Sequence, residues 1–297
     1  MKVFVTGATG FVGTAVVREL LDAGHQVLGL ARSDASAAAL EAAGAEVHRG
    51  DLEDLDSLRV GASAAEGVIH CGFIHDFSRF AAVCEVDRIA IETLGSALAG
   101  TNKPLIVTSG TALVNPGTLA TEDMVSNHDK TKFPRVSEAA GDATAALGVR
   151  NMAIRLSPSV HGDGDHHGFI PILIKIAQEK GVAAYVGEGQ NRWNAVHRLD
   201  AAQLYRLALE NGVSGAKYHA VGDEAITLKT ITEIIGERLN VPVVSITAEE
   251  APAHFGWFAN FAMIDCPASS KVTQEQLNWH PTHPSLIDDL KGDVYFK

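Results

Sequence analysis

The segment Thr6-Gly7-Ala8-Thr9-Gly10-Phe11-Val12-Gly13 sets three glycines between a short apolar run and a stretch of helical period. This order of strand, glycine turn and helix constrains the fold more than any other feature of the chain. Gly7 allows a tight turn, Gly10 lets the backbone approach an anion with no Cβ in the way, and Gly13 permits close packing of the helix. The first N–H groups of a helix lack partners within it and lie at the positive end of its dipole, so such a turn suits a pyrophosphate. A turn that binds nothing would not require all three glycines in this register. Lys2 to Thr6 reads as the strand, Val12, Ala15, Val16 and Leu20 recur at helical spacing, and Gly24 stands where a left-handed residue ends the helix. With Gln26 to Leu30 as the next strand, the βαβ unit is complete.

Further strands are expected at Glu46 to His48, Gly67 to Cys71, Pro104 to Ser109 and Met152 to Leu156, each nearly unbroken in apolar character, as in a sheet covered on both faces. Their alternation with helical segments predicts an α/β fold. The expected architecture is a Rossmann doubly wound parallel sheet over 1–160, with a return segment at 195–223 and a smaller C-terminal α/β substrate lobe from 161–194 and 224–297. A chain of 297 residues with 46% hydrophobic content can bury such a core. The formal net charge of -12 repels phosphate backbones and anionic lipid, so neither nucleic acid nor a membrane is the expected partner and any phosphate is held locally. Met1 to Thr6 carries no charged leader or long apolar span, which predicts a cytoplasmic protein. Cys71, Cys84 and Cys266 lack metal-ligand spacing and are expected to be reduced and mostly buried.

The end of the second strand separates the two nicotinamide cofactors, because an NAD site places an acid there to accept bonds from the ribose hydroxyls. Here Ala31 is followed by Arg32 and Ser33. Arg32 offers a planar, permanently charged fork to a 2′-phosphate and Ser33 a hydroxyl, so NADP is expected rather than NAD. The competing arrangement has Arg32 merely solvated and Asp34, the expected N-cap of the next helix, turned to the ribose. On topology alone, Asp51 and Leu52 are expected at the adenine edge, and Cys71, Gly72 and Phe73 at the ribose.

Four segments together resemble the extended short-chain dehydrogenase/reductases, and more closely their atypical members related to NAD-dependent epimerase/dehydratases. They are Thr6 to Gly13, Thr108-Ser109-Gly110, Arg155-Leu156-Ser157-Pro158-Ser159-Val160-His161-Gly162, and Val186 to Gly189 leading to Ala195-Val196-His197-Arg198-Leu199-Asp200. The resemblance implies that Thr108 and Ser157, Pro158, Ser159 and Val160 lie beside the cofactor, and that Ser109 holds a substrate oxygen. It also implies that Asp87 takes the place of an asparagine in the catalytic set. The family's tyrosine acid/base, with a lysine four residues on, is missing: Pro134 and Glu138 stand at those positions, and none of Tyr185, Tyr205, Tyr218 and Tyr295 has a lysine at that spacing.

Hydride transfer needs only a nicotinamide held near an electrophilic carbon, and the proton can come from elsewhere. The residues offer Ser109 with water, or His128, His161, His166 or His167. The loop that carries the last three also holds Asp163 and Asp165, but their spacing matches no metal-ligand pattern, so no metal is expected. The preferred reading of the loop is a solvated segment with His161 held by backbone contacts. His161, Trp193, Trp257 and Phe258 are candidate substrate contacts, with Asn191 and Arg192 beside them. The aromatic run His254 to Phe261 suits an apolar substrate wall, core packing or a homodimer contact equally well. Asp200 is expected to cap the helix through Glu210, and Thr247 with Glu250 has capping-box spacing. The chain thus reads as an NADP(H)-dependent oxidoreductase that reduces a carbonyl or similar group of a small, apolar compound. The rival readings are an inactive NADPH-binding redox sensor and a nucleotide-sugar epimerase or dehydratase.

Overall fold

Val3 and Val5 face one apolar core while Phe4, between them, faces another, so the first strand is buried on both sides. The same alternation runs through the neighbouring strands: Val27, Ile69, Ile106 and Ile154 join the first core, and Leu28, Val68, Val107 and Ala153 the second. A period of two, apolar on both faces, reads in sequence as an unbroken apolar run. The computed structural model describes residues 1–114, 116–126 and 134–296.

In chain order the first half runs β1 (Lys2–Thr6), α1 (Phe11–Asp22), β2 (Gln26–Ala31), α2 (Asp34–Ala43), β3 (Glu46–Arg49), α3 (Leu55–Ser63) and β4 (Gly67–His70). It continues with α4 (Phe80–Ala97), β5 (Pro104–Gly110), α5 (Ser137–Ala145), β6 (Arg150–Leu156) and β7 (Ser159–His161). The second half runs α6 (Phe169–Lys180), β8 (Ala183–Val186), β9 (Arg192–His197), α7 (Arg198–Asn211), β10 (Lys217–Ala220) and β11 (Asp223–Thr227). It ends with α8 (Leu228–Leu239), β12 (Val243–Ile246), α9 (Ala251–Phe255), α10 (Ala259–Met263), α11 (Lys271–Leu277) and α12 (Leu286–Lys291).

The main sheet has seven strands in the order β10-β6-β5-β4-β1-β2-β3, all parallel. The chain winds outward from β1 to β3, then crosses to β4 and winds the other way. The carboxyl ends of β1 and β4 therefore flank the switch point, where an open α/β sheet binds its ligand. Helices α1 and α7 cover the face with Val3 and Val5, while α3, α4 and α5 cover the face with Phe4. A second set of elements has its own core, in which Ile170, Trp193, Leu228, Phe255, Phe258 and Leu286 meet. Strands β11-β9-β7 and β12-β8 form its two small sheets. Among the described residues, no helix is long and apolar enough to cross a membrane.

Three helix starts differ from expectation or refine it. Ser33, not Asp34, caps α2, accepting from Ser36 N at 3.1 Å, while Asp34 pairs with Arg49 at 2.6 Å. His197, not Asp200, caps α7 through its Nδ1, which accepts from Leu199 N at 3.3 Å. Asp200 lies inside the first turn, buried, and accepts from Thr282 N, His283 N and the His283 ring. A carboxylate there suits both the helix dipole and the returning chain. Thr247 and Glu250 exchange two bonds, at 2.8 and 3.3 Å, but these close the turn before α9, whose N-cap is Glu250 and carries no side-chain cap.

Candidate dinucleotide and substrate site

Gly7 has φ +64°, and a Cβ there would lie 2.7 Å from backbone atoms of Cys71 and Gly72, so only glycine fits between β1 and the segment after β4. A Cβ on Gly13 would collide with the Gly7 carbonyl, whereas one on Gly10 would meet Gly7 O alone, at 3.2 Å. Gly10 is the N-cap of α1 and no side chain caps that end. These residues leave an open cradle at the helix N-terminus and fit the diphosphate of a dinucleotide. Around it, Thr6 Oγ1 accepts from Gly72 N at 3.2 Å, and a Cβ on Gly72 would lie 3.0 Å from Leu52 Cδ2. Thr9 Oγ1 reaches Ser36 Oγ at 3.5 Å.

Arg32 follows β2 with its side chain 78% exposed, and its Nε stands 3.8 Å from Asp51 Oδ2. An exposed pair at that distance leaves the guanidinium free to take a phosphate. Ser33 spends its hydroxyl on the helix cap and on Ser36 Oγ at 3.0 Å, so it offers less to a phosphate than its position suggested.

Beneath the switch point runs a chain of directed hydrogen bonds. An ionised carboxylate only accepts, so His70 Nε2 donates to Asp87 Oδ1 at 3.3 Å, while His70 Nδ1 lies 2.8 Å from Thr6 Oγ1, which also accepts from Gly72 N. From the other side Arg135 Nε donates to Ser137 Oγ at 3.1 Å, and Ser137 Oγ to Asp87 Oδ2 at 2.6 Å. Burial pushes the Asp87 carboxyl up, but the bond from His70 and the charge of Arg135 outweigh it and hold it below its usual value. Asp87 is buried, and both of its carboxylate oxygens are hydrogen-bonded within the protein.

Arg135 was not singled out by sequence. Its Nη2 donates to the Thr108 carbonyl at 3.1 Å and its guanidinium lies 4.4 Å from the centre of the Phe73 ring, so three contacts fix it beside β5. His75, also not foreseen, sits against Phe73 at 5.4 Å between ring centres. Burial, then the charges of Arg135 and His167, lower its pKa below the ordinary histidine value.

Glu138, at the missing lysine's position, is buried and takes two bonds of 2.9 Å from Arg155. Burial alone would raise its pKa, but Arg155 holds it down. Arg155 also reaches Met124 O at 2.8 Å and His219 Nε2 at 3.1 Å, which ties β6 to α5, to the 122–124 segment and to β10. Ser109 is buried beside Glu138, and its Oγ has no partner of normal hydrogen-bond geometry. Thr108 Oγ1 donates to His70 O at 2.7 Å and meets the Tyr205 hydroxyl at 2.6 Å, which places that tyrosine in the core. Ser157 Oγ donates to Ala220 O at 2.8 Å, while Ser159 Oγ is buried without a partner. Burial pushes the Cys71 and Cys266 thiols up to about 12 and that of Cys84 to about 11.

Several candidates from sequence lie elsewhere. Trp193 and Phe258 are fully buried, packed with Phe169 in the second core rather than on a cleft wall; of the aromatic run, Trp257 is 55% exposed. Asn191 donates to Ala262 O and Ile264 O, and Arg192 clasps Asp265 through both carboxylate oxygens, so both tie down the 262–265 segment. The 161–168 loop is not simply solvated. His161 is buried with its Nδ1 on Asp289 at 2.6 Å, a carboxylate rather than backbone, and Asp165 accepts from Gly168 N and the Tyr295 hydroxyl. Only Asp163, Gly164, His166 and His167 of that loop are exposed. His128 lies outside the described residues. The one potential metal-ligand group among the described residues is His197, Asp200 and His283, and there both oxygens of Asp200 are already hydrogen-bonded.

Residues 3–221 match the family described as the NAD dependent epimerase/dehydratase family. The Schizosaccharomyces pombe protein C2A9.02 is 49% identical over 298 residues, covering 100% of each chain, and the Saccharomyces cerevisiae protein YLL056C is 45% identical over 99% of each. More distantly, the 2-alkyl-3-oxoalkanoate reductase of Stenotrophomonas maltophilia is 27% identical over 73% of this chain and 67% of its own. Among solved structures, the dTDP-glucose 4,6-dehydratase DesIV of Streptomyces venezuelae, bound to NAD and TYD, shares the fold with a TM-score of 0.77 at 19% identity, over 98% of this chain and 95% of its own.

Proposed function

This chain belongs to the NAD dependent epimerase/dehydratase family, and on that premise we propose that it is an NADP(H)-dependent oxidoreductase that reduces a carbonyl or similar group of a small compound. The nicotinamide, when bound, supplies the hydride. Gly7, Gly10 and Gly13 hold the diphosphate, and Arg32 holds the 2′-phosphate. Ser109 orients the substrate oxygen, and Arg135 supplies a fixed positive charge beside it. A guanidinium keeps its proton at any pH of interest, so the proton itself comes from water, with His75 at hand as a neutral relay.

The reading rests on one observation, the capture of Glu138 by Arg155 at the place of the family's lysine. Epimerisation and dehydration require a base that strips a proton from the sugar, whereas reduction requires only that oxygen be held while a proton arrives. The distant relatives include reductases as well as UDP-glucose 4-epimerases. Calorimetric titration with NADPH and NADH, followed by absorbance at the nicotinamide band with aldehydes, ketones, quinones and nucleotide sugars, tests it. NADPH should bind more tightly, with substrate-dependent oxidation by a carbonyl, and Arg32→Ala should weaken NADPH about tenfold or more while leaving NADH unchanged. Equal losses for both cofactors would remove Arg32 from the site. Tight binding without oxidation would favour a sensor, and conversion of a nucleotide sugar an epimerase.

A further inference from the structure

Arg198 opens α7, yet it makes no ion pair and no hydrogen bond with any described residue. A cation in the first helical turn opposes the helix dipole, so the fold gains nothing electrostatic by placing it there. Its guanidinium lies 5.1 Å from the ring centre of Phe11, the first residue of α1 and part of the glycine segment. Gly164, at φ +85°, is also close, and a Cβ there would stand 3.3 Å from Arg198 Nη1. The guanidinium is therefore close both to the glycine segment of the main sheet and to the loop that follows β7. In a chain of net charge -12, an arginine held at such a place with no carboxylate partner among the described residues is fitted to an anion from outside.

We infer that Arg198 is a second clamp on the dinucleotide diphosphate, facing the cradle of Gly7, Gly10 and Gly13 from the side of the second lobe. The inference rests on the cofactor reading above and adds to it a residue outside the glycine segment. Phe11 sets the height of the guanidinium by stacking, and Gly164 leaves the room it needs. Arg198 acts on the part that all nicotinamide dinucleotides share, whereas Arg32 acts on the 2′-phosphate that separates them. The two arginines therefore carry different signatures.

The test is calorimetric titration of the full chain with NADPH, ADP-ribose and adenosine 2′-phosphate, for the natural protein and for Arg198→Met, Arg198→Lys and Arg32→Ala. Methionine keeps apolar contact with Phe11 and removes the charge. Arg198→Met should weaken NADPH and ADP-ribose by the same factor, about 10- to 100-fold, the scale of a charge-assisted hydrogen bond, and leave adenosine 2′-phosphate unchanged. Arg198→Lys should recover part of the loss. Arg32→Ala should show the reverse pattern, with adenosine 2′-phosphate weakened and ADP-ribose unchanged. Unchanged NADPH affinity in Arg198→Met overturns the inference, and so does an equal loss for adenosine 2′-phosphate, which would mark a general disturbance of the fold. If the natural protein binds none of the three ligands, the cofactor reading itself falls and this inference with it.

Discussion

At the scale of single residues, the departure from the family is a change of partner rather than a deletion. Glu138 is not an idle substitute for lysine: it neutralises Arg155, which is buried among backbone carbonyls and His219. Removing one member of a buried pair leaves the other charge without compensation, so Glu138→Gln should lower the unfolding free energy in urea by about 3 kcal/mol or more. Glu138→Lys should do worse, because it sets a second cation against Arg155, and with Pro134→Tyr added it should still fail to create a tyrosine-lysine enzyme. A loss under about 1 kcal/mol for Glu138→Gln, the level of an exposed pair, would show that Arg155 has other sufficient partners. Spacing revealed that the tyrosine and lysine were absent, but it could not reveal Arg135. The partners of that arginine come from Thr108, 27 residues away, and, through Ser137, from Asp87 a further 50 residues from Ser137, which only the fold brings together.

At the scale of elements, the inner strands of the main sheet were legible because both faces are buried, which leaves a continuous apolar run with little ambiguity, whereas the edge strand β3, Glu46–Arg49, is exposed at both ends and only half-buried between. The second lobe was less so. In β9 every residue from Trp193 to Val196 is buried, and an aromatic near a cleft motif looks alike whether it faces core or ligand. Helix starts were misjudged where two polar residues competed for the cap, as Ser33 did with Asp34 and His197 with Asp200; backbone dihedrals decide that contest, and composition does not. The glycine turn was legible because its requirements are steric. Gly13→Ala forces a Cβ onto the Gly7 carbonyl, and overpacking of this kind costs about 1–3 kcal/mol. It should therefore lower the melting temperature and, by pushing α1 away from β1, weaken NADPH binding at least as much as any side-chain change at the site. Binding of natural strength in a folded Gly13→Ala protein would mean that the cradle lies elsewhere.

For the whole molecule, stability should depend on pH in a window set by histidines whose pKa is lowered by partial or full burial. Burial and the neighbouring His161 lower the His197 pKa from 6.5 to about 4, and burial with the charge of Arg155 lowers that of His219, against the pull of Glu122. Between those values the unfolded chain binds protons that the folded chain refuses, so stability is full above pH 6.5 and declines as pH falls towards 4. Asp165, its pKa raised by burial, works in the opposite sense, because there the folded state holds the extra proton. Asp87 and Glu138, with lowered values, keep their contribution until the pH drops below the ordinary carboxylate range, so their loss comes last. Urea unfolding at a series of pH values from 7.5 to 4.5 should therefore show a fall that begins above the ordinary carboxylate range. His197→Asn isolates the largest identified contributor, because asparagine also caps a helix but carries no titrating group. That variant should match the natural protein near neutral pH and lose stability less steeply below it. An unchanged slope would assign the acid sensitivity to the other histidines with lowered values, His219 at the Arg155 cluster, His75 and His254.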